Sequence, residues 1–242
     1  MIWNTISQKL KKVKYSVLNV EHLTTGYGKK QILTDISFEV AKGDVVLLSG
    51  GNGSGKSTIL KTVYGLLKPW TDTPEARITF DGKNITALPV STMIQCGIVY
   101  MPQKKNVFED FSVEENLSVS AGIYSKSEAK ERTNKVFEIL PKLKTMLKRT
   151  PFNMSGGERQ LLAFGNMLVH SPKLILLDEP FAGVDADNSE ILFRSIVDLK
   201  KENMTFVIVE HKKQLLENIV NREIELELGV IKNLLTIKRE DD

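Results

Sequence analysis

Cysteine is nearly missing from this 242-residue chain: the single Cys96 permits no internal disulfide, which excludes a disulfide-stapled scaffold and suits a reducing compartment. Long apolar runs are missing too. None exceeds four residues (45–48, 174–177 and 206–209 are examples), against roughly 18 to 20 needed to cross a bilayer, so no segment is expected to span a membrane. The first twenty positions hold no Asp or Glu, and the opening MIWNTISQKLKKVK carries four lysines. It has neither the compact apolar core nor the small-residue cleavage site of a signal peptide. Residues 1–16 read as a basic arm, solvated in the simplest reading, with contact to a membrane surface as the alternative. A strong charge imbalance is also lacking: 33 basic against 30 acidic residues leave +3. That is too mild for a nucleic-acid surface, and no nucleic-acid partner is expected.

What is present is an ordinary globular composition, 41% hydrophobic and 26% charged, long enough for a buried core. β-rich segments come first, at 16–23, 32–40 and 44–49, punctuated by Gly26, Gly28 and Gly43. Beyond them, strand-like runs at 77–80, 98–101, 174–177 and 206–210 alternate with helical stretches, the signature of a largely parallel α/β sheet. Residues 112–147 hold no β-like run; they open with the capping box Ser112-Val113-Glu114-Glu115, and a second helix is expected to start at Ser127. The layout predicted is one α/β domain over 17–242 with inserted helices, without repeats or low-complexity tracts.

The apolar run 45–48 leads into Gly50-Gly51-Asn52-Gly53-Ser54-Gly55-Lys56-Ser57-Thr58, which meets every fixed position of G-x-x-x-x-G-K-[ST]. A strand before it and a helix after it, expected over 58–64, would aim backbone N–H groups and a positive helix end at one anion. Lys56 then supplies a point charge to phosphates and Ser57 a hydroxyl to Mg²⁺. A ligand-free glycine turn is the plain alternative, disfavoured by both flanks.

A second site element is Leu174-Ile175-Leu176-Leu177-Asp178-Glu179-Pro180: an apolar strand ending in two acids at the edge where open α/β sheets bind ligands. Asp178 is placed for the Mg²⁺ shell and Glu179 for polarising a water, although two acids can also simply cap a strand in solvent. Ser155-Gly156-Gly157-Glu158-Arg159-Gln160 opens an apolar-rich helix, read alone as a helix cap and, beside a phosphate loop, as a second place for phosphate.

Together these residues resemble the ATP-binding subunit of ABC transporters. GGNGSGKST is similar to its Walker A loop, LILLDEP to its Walker B strand and MSGGERQ to its signature; Tyr27, Gln103, Asp185 and His211 fall in family order at the adenine platform, Q-loop, D-loop and switch histidine. The resemblance runs from about residue 17 to 211 and implies an α/β P-loop NTPase core, an N-terminal antiparallel β subdomain and an α-helical subdomain inserted at about 104–170. It implies ATP and Mg²⁺ as cofactors. ATP would be bound by Tyr27, Gly50, Asn52, Gly53, Ser54, Gly55, Lys56, Ser57 and Thr58, with Gln103 and Asp185. Ser155, Gly156, Gly157 and Glu158 would complete the site of a partner subunit. Ser57, Gln103 and Asp178 would surround the metal, and Glu179, His211 and Lys56 would carry hydrolysis. The partners implied are a second ATPase subunit, in a homodimer or heterodimer, and integral membrane permease subunits on separate chains, which places the protein in the cytoplasm at the inner face of the cell membrane. Within the family the chain is most similar to subunits for branched-chain amino-acid and urea uptake and for lipopolysaccharide export. Met154 replaces the usual leucine before the signature, Ala186 stands where proline is common, and residues 68–77 run longer than usual. A soluble ABC-type ATPase acting on nucleic acid would more often carry tandem cassettes or coiled coils. A small-molecule kinase would leave SGGER, Asp185 and His211 unexplained. His22 and His170 match no motif.

Overall fold

The computed structural model describes residues 16–70, 75–104 and 106–237. The basic arm read over 1–16 therefore falls, Ser16 apart, outside the described residues, as do positions 71–74 of the longer 68–77 stretch. In chain order the strands are β1 (Ser16–Tyr27), β2 (Lys30–Ala41), β3 (Val45–Gly50), β4 (Arg77–Phe80), β5 (Lys83–Asn84), β6 (Ile98–Met101), β7 (Leu174–Asp178), β8 (Thr205–Val209), β9 (Arg222–Glu227) and β10 (Val230–Thr236). The helices are α1 (Lys56–Val63), α2 (Val90–Cys96), α3 (Val113–Ala121), α4 (Lys126–Ile139), α5 (Pro141–Lys144), α6 (Gly156–Leu168) and α7 (Ala186–Lys201).

Two sheets form. One is antiparallel, ordered β2-β1-β4-β5; the other is ordered β10-β9-β3-β8-β7-β6. In the second, β9, β3, β8, β7 and β6 run parallel and only the edge strand β10 is antiparallel. Helices α3 to α6 occupy the stretch between β6 and β7.

The apolar run 174–177 is continuous because β7 is buried on both faces. Alternation sends Leu174 and Leu176 into one core, shared with Val46, Leu48, Val207 and Val209, while Ile175 and Leu177 enter the other with Val45, Leu47, Phe206 and Ile208. The first core lies under α1 and the antiparallel sheet. The second is filled by the helical stretch, including Phe164, Leu161 and Leu117. Buried Asn116 fixes that stretch to the segment before it: its amide donates to the carbonyls of Phe108, Phe111 and Ser112, and its oxygen accepts the Phe108 N–H.

Element boundaries shift from the sequence reading, most consequentially at two helix starts. Helix α1 starts at Lys56, because Gly55 at φ 104° turns the chain directly into it. Helix α4 is capped by Ser125 and not Ser127, since only Ser125 has a glutamate three residues on, Glu128, to complete the reciprocal capping box. The β9/β10 hairpin was not anticipated at all. Leu176→Ala is expected to cost about 2–5 kcal/mol of unfolding free energy, because a side chain with no exposed surface leaves a cavity under a rigid sheet. Denaturant melts with an unchanged slope would measure it; a loss below about 1 kcal/mol would contradict the two-core packing.

Candidate functional site

The parallel strands deliver their C-terminal ends to one edge. From β3 the chain passes through residues 50–55 into α1, and two glycines make the passage possible. A Cβ on Gly50 (φ +131°) would sit 2.1 Å from the Leu226 carbonyl oxygen, and one on Gly55 (φ +104°) 2.4 Å from a Leu33 methyl. Helix α1 has no side-chain cap and no acid in its first turn, so its leading N–H groups remain open to an anion. Lys56 folds back over the loop and donates to the carbonyls of Gly50 and Gly51, both at 2.9 Å. Burial lowers its pKa, and the nearby Glu179 and Asp178 carboxyls oppose that shift. Ser54 Oγ is buried in the same loop with no hydrogen-bond partner.

At the end of β7, Asp178 accepts hydrogen bonds from Ser57 Oγ at 2.8 Å and from the Tyr100 hydroxyl at 3.1 Å. Tyr100 comes from β6, with its ring 5.5 Å from that of Tyr64; burial, and then Asp178, raise its pKa. The next residue, Glu179, adopts φ +52°, unusual for a side chain with a Cβ. Its N–H stays on the sheet, bonded to Val209 O at 2.8 Å, while its carboxyl turns out to meet two other loops. Gln103 Nε2 donates to one oxygen at 2.6 Å and His211 Nε2 lies 3.3 Å from the other. Tyr27, at the tip of β1 and half exposed, closes the side of a cleft of about 240 Å³ whose floor is Lys56, Ser57 and Thr58 and whose far wall is Glu179 and His211. Asn52, Gly53 and Gly55 rim it.

The residues 155–158 lie elsewhere. Ser155 caps α6 and forms a reciprocal box with Glu158, accepting its N–H at 3.1 Å while the Glu158 carboxylate accepts the Ser155 N–H at 2.8 Å. Burial works against the charge on Glu158, but the bonds from Ser155 and from both terminal nitrogens of Arg149 outweigh it and hold the carboxyl below its ordinary range. Asp185 caps α7 and accepts from Asn188 N at 3.0 Å and Nδ2 at 2.7 Å, which lowers its pKa. The glycines of 155–158 serve close packing within this chain: a Cβ on Gly157 would lie 2.6 Å from both Asn188 Cβ and Asp185 Oδ2, and one on Gly156 2.9 Å from Gly183 O. Gly156 borders a separate groove of about 580 Å³, together with Gln103, Asn106, Gln160 and Gly183.

The structure thus brings Tyr27, the 50–58 loop, Gln103, Asp178, Glu179 and His211 together, and leaves Ser155, Gly156, Gly157, Glu158 and Asp185 outside the lining of that cleft, with Gln103 reaching both the cleft residue Glu179 and the groove at Gly156. Sequence reasoning missed Tyr100, whose hydroxyl in an otherwise apolar strand was the available signal. It also missed Asn106, which donates to Gln160 at 2.8 Å and so ties the Gln103 loop to α6. Among the described residues no group of three or more His, Cys, Asp or Glu could hold a metal. A hydroxyl and a carboxylate 2.8 Å apart, Ser57 and Asp178, are nevertheless the hard oxygen donors that Mg²⁺ takes alongside water and phosphate. Gln103 is bonded through Nε2 to Glu179. Because of its intrachain packing, Gly157→Ala is expected to lower the melting temperature of the isolated chain by several degrees, at about 1–3 kcal/mol for overpacking. An unchanged melt would show that the 2.6 Å approach is not real.

The ABC transporter family profile matches residues 33–182. The high-affinity branched-chain amino acid transport ATP-binding protein BraG of Pseudomonas aeruginosa is 37% identical over 218 residues, covering 89% of this chain and 91% of BraG. The lipopolysaccharide export system ATP-binding protein LptB of Haemophilus influenzae is 33% identical over 198 residues, 81% of this chain and 80% of LptB. The crystal structure of the ADP conformation of an ATP-binding cassette of an ABC transporter superposes with a TM-score of 0.82 at 29% identity, over 92% of each chain. Among the described residues no helix is long and apolar enough to cross a membrane. A phosphate loop facing two strand-end acids, on a fold shared along nearly its whole length with such cassettes, makes the chain a member of the ABC transporter family, an ATP-binding subunit that hydrolyses ATP.

Proposed function

We propose that this subunit powers solute transport through separate membrane subunits by ATP-driven closure of a dimer of ATPase subunits, either two copies or a pair with a related chain. The observation that carries the reading is the split between the cleft and the 155–158 surface: the phosphate loop lines one, and the Ser155-Gly156-Gly157 start of α6 lies outside its lining. Head-to-tail pairing would join the two.

In the cleft, the N–H groups of residues 53–58 and Lys56 bind the phosphates, and Tyr27 offers its ring to the base. Ser57 and Asp178 would hold Mg²⁺, with Tyr100 orienting Asp178, and Gln103 would reach the metal by releasing Glu179. Bound Mg²⁺ offsets charge on the β- and γ-phosphates. Glu179 accepts the proton of the attacking water, while His211, already 3.3 Å from that carboxyl, orients the water and the γ-phosphate. Ser155, Gly156 and Gly157 of the opposing subunit would close over the γ-phosphate, with Glu158 holding Ser155 in place and the Asp185 loop lying between the two sites.

The helices over 104–170 are proposed as an inserted subdomain within the single domain 17–242, and as the transmitter to the membrane subunits. The loop that enters them from Gln103 carries the exposed Phe108 and Phe111, and a groove of about 180 Å³ beside it is lined by Tyr64, Ile94, Asn106, Phe108, Met167 and His170. Docking there would hold the protein at the inner face of the membrane. BraG favours a branched-chain amino acid or related small solute as cargo, and LptB supports lipopolysaccharide or lipid export as the second reading.

Glu179→Gln keeps the shape of the side chain and loses the base, so hydrolysis should fall about 10²- to 10⁴-fold while an ATP-bound dimer accumulates on size exclusion. Wild-type turnover would contradict the role of Glu179. Lys56→Ala should weaken ATP binding about 10- to 100-fold by calorimetry, since it removes a charged donor to the phosphates; unchanged affinity would contradict the loop assignment. Ser155→Asp tests the dimer without disturbing the monomer. Aspartate caps a helix as well as serine does, yet it sets a carboxylate against the partner's γ-phosphate. ATP binding by the monomer should survive and ATP-driven dimerisation should fail; loss of binding by a folded monomer would mean that the signature acts within one chain.

A further inference from the structure

Glu210 lies between β8 and His211 and is only 4% exposed. Its carboxylate is ringed by backbone donors from two different loops. One oxygen accepts the N–H groups of His211 at 2.7 Å and Lys212 at 3.0 Å. The other accepts the N–H of Phe181 at 3.4 Å. Phe181 is two residues beyond Glu179, whose carbonyl accepts the Ala182 N–H at 3.1 Å, so the Phe181 turn is the turn that sets Glu179. We infer that Glu210 is a positioning residue for ATP hydrolysis: it clamps the His211 loop to the Glu179 loop and so fixes the 3.3 Å approach of His211 Nε2 to Glu179 Oε1. This rests on the roles proposed for Glu179 and His211.

The clamp needs acceptors in both directions. β7 and β8 are neighbours in the sheet, with Asp178 opposite Val209, so the two loops leave from adjacent strand ends, and the Glu179 N–H to Val209 O bond is the last backbone bond between them among the described residues. Two carboxylate oxygens can satisfy both loops at once. Glutamine has the same size but presents one oxygen and one NH₂ group; with the oxygen toward His211 and Lys212, the NH₂ faces the Phe181 N–H, donor against donor. Glu210→Gln therefore cuts the link between the loops and leaves the local turn at His211 intact.

The test is a double-mutant cycle on the full chain with E210Q, H211A and both, reading kcat, ATP affinity and melting temperature. E210Q should lower kcat about 10- to 100-fold, as a misplacement of catalytic groups on the ångström scale does, with ATP affinity within about twofold of wild type. Added to H211A, it should lower kcat by less than about threefold more, because the group it positions is already gone. Wild-type kcat in E210Q, or losses that multiply in the double variant, would overturn the clamp. Wild-type kcat in H211A would instead overturn the role of His211, and the clamp with it. If E210Q does not fold, amide exchange in the wild type decides: protection of the Phe181, His211 and Lys212 amides together supports the clamp, and rapid exchange at His211 and Lys212 overturns it.

Discussion

Burial of a parallel sheet on both faces is the constraint from which the rest of this molecule follows. Strands β3, β7 and β8 admit no polar side chain over the stretches 45–48, 174–177 and 206–209, because odd and even positions each enter a core. The polar chemistry of these three strands is therefore displaced to the residue at or just past each C-terminal end. Since the strands run parallel, those ends share one edge: Gly50 after β3, Gln103 after β6, Asp178 and Glu179 at β7, Glu210 and His211 after β8. The cleft is the place where a buried sheet runs out. Its precision comes from backbone bonds that continue the sheet a little further, such as Glu179 N–H to Val209 O.

The same logic explains why the signature segment has two jobs. Within the chain, Gly156 and Gly157 let the start of α6 press against residues 183–188, and Ser155, Glu158 and Arg149 complete a cap. Those contacts seat the N-terminus of α6 against residues 183–188, outside the lining of the cleft that holds the chain's own phosphate loop. Glycine at 157 is required by packing before any ligand is considered, so defects caused by substituting it report on the monomer as well as on an assembly. Ser155 separates the two roles because another side chain can replace its cap.

Much of this was legible in the sequence because it is local. The loop 50–58 announces itself by glycine and lysine spacing, β7 by an apolar run stopped by acids, and α3 by a capping box. What was not legible depends on partners distant in sequence. The β9/β10 hairpin escaped notice because β10 is exposed along nearly its whole length and β9 buries only alternate residues. Its turn also places Leu228 at φ +48°, where no turn signal would put a leucine. The start of α4 was displaced by two residues because two serines compete and only the reciprocal bond from Glu128 selects Ser125. Asn116 and Glu210 have no sequence signature, since the backbone groups they serve are set by the fold, and the Tyr100 hydroxyl finds Asp178 only through the pairing of β6 with β7.

The central claim is that one nucleotide site needs two chains, and complementation tests it most directly. A Lys56→Ala chain lacks a working phosphate loop and a Ser155→Asp chain lacks a working signature, so each alone should be inactive. In an equimolar mixture, the loop of the Ser155→Asp chain meets the signature of the Lys56→Ala chain, and one of the two composite sites is whole. Hydrolysis should return in the mixture, with one nucleotide retained per mixed dimer. Activity that stays absent at every mixing ratio, while both chains remain folded and the wild-type chain alone dimerises and hydrolyses ATP under the same conditions, would contradict the composite site.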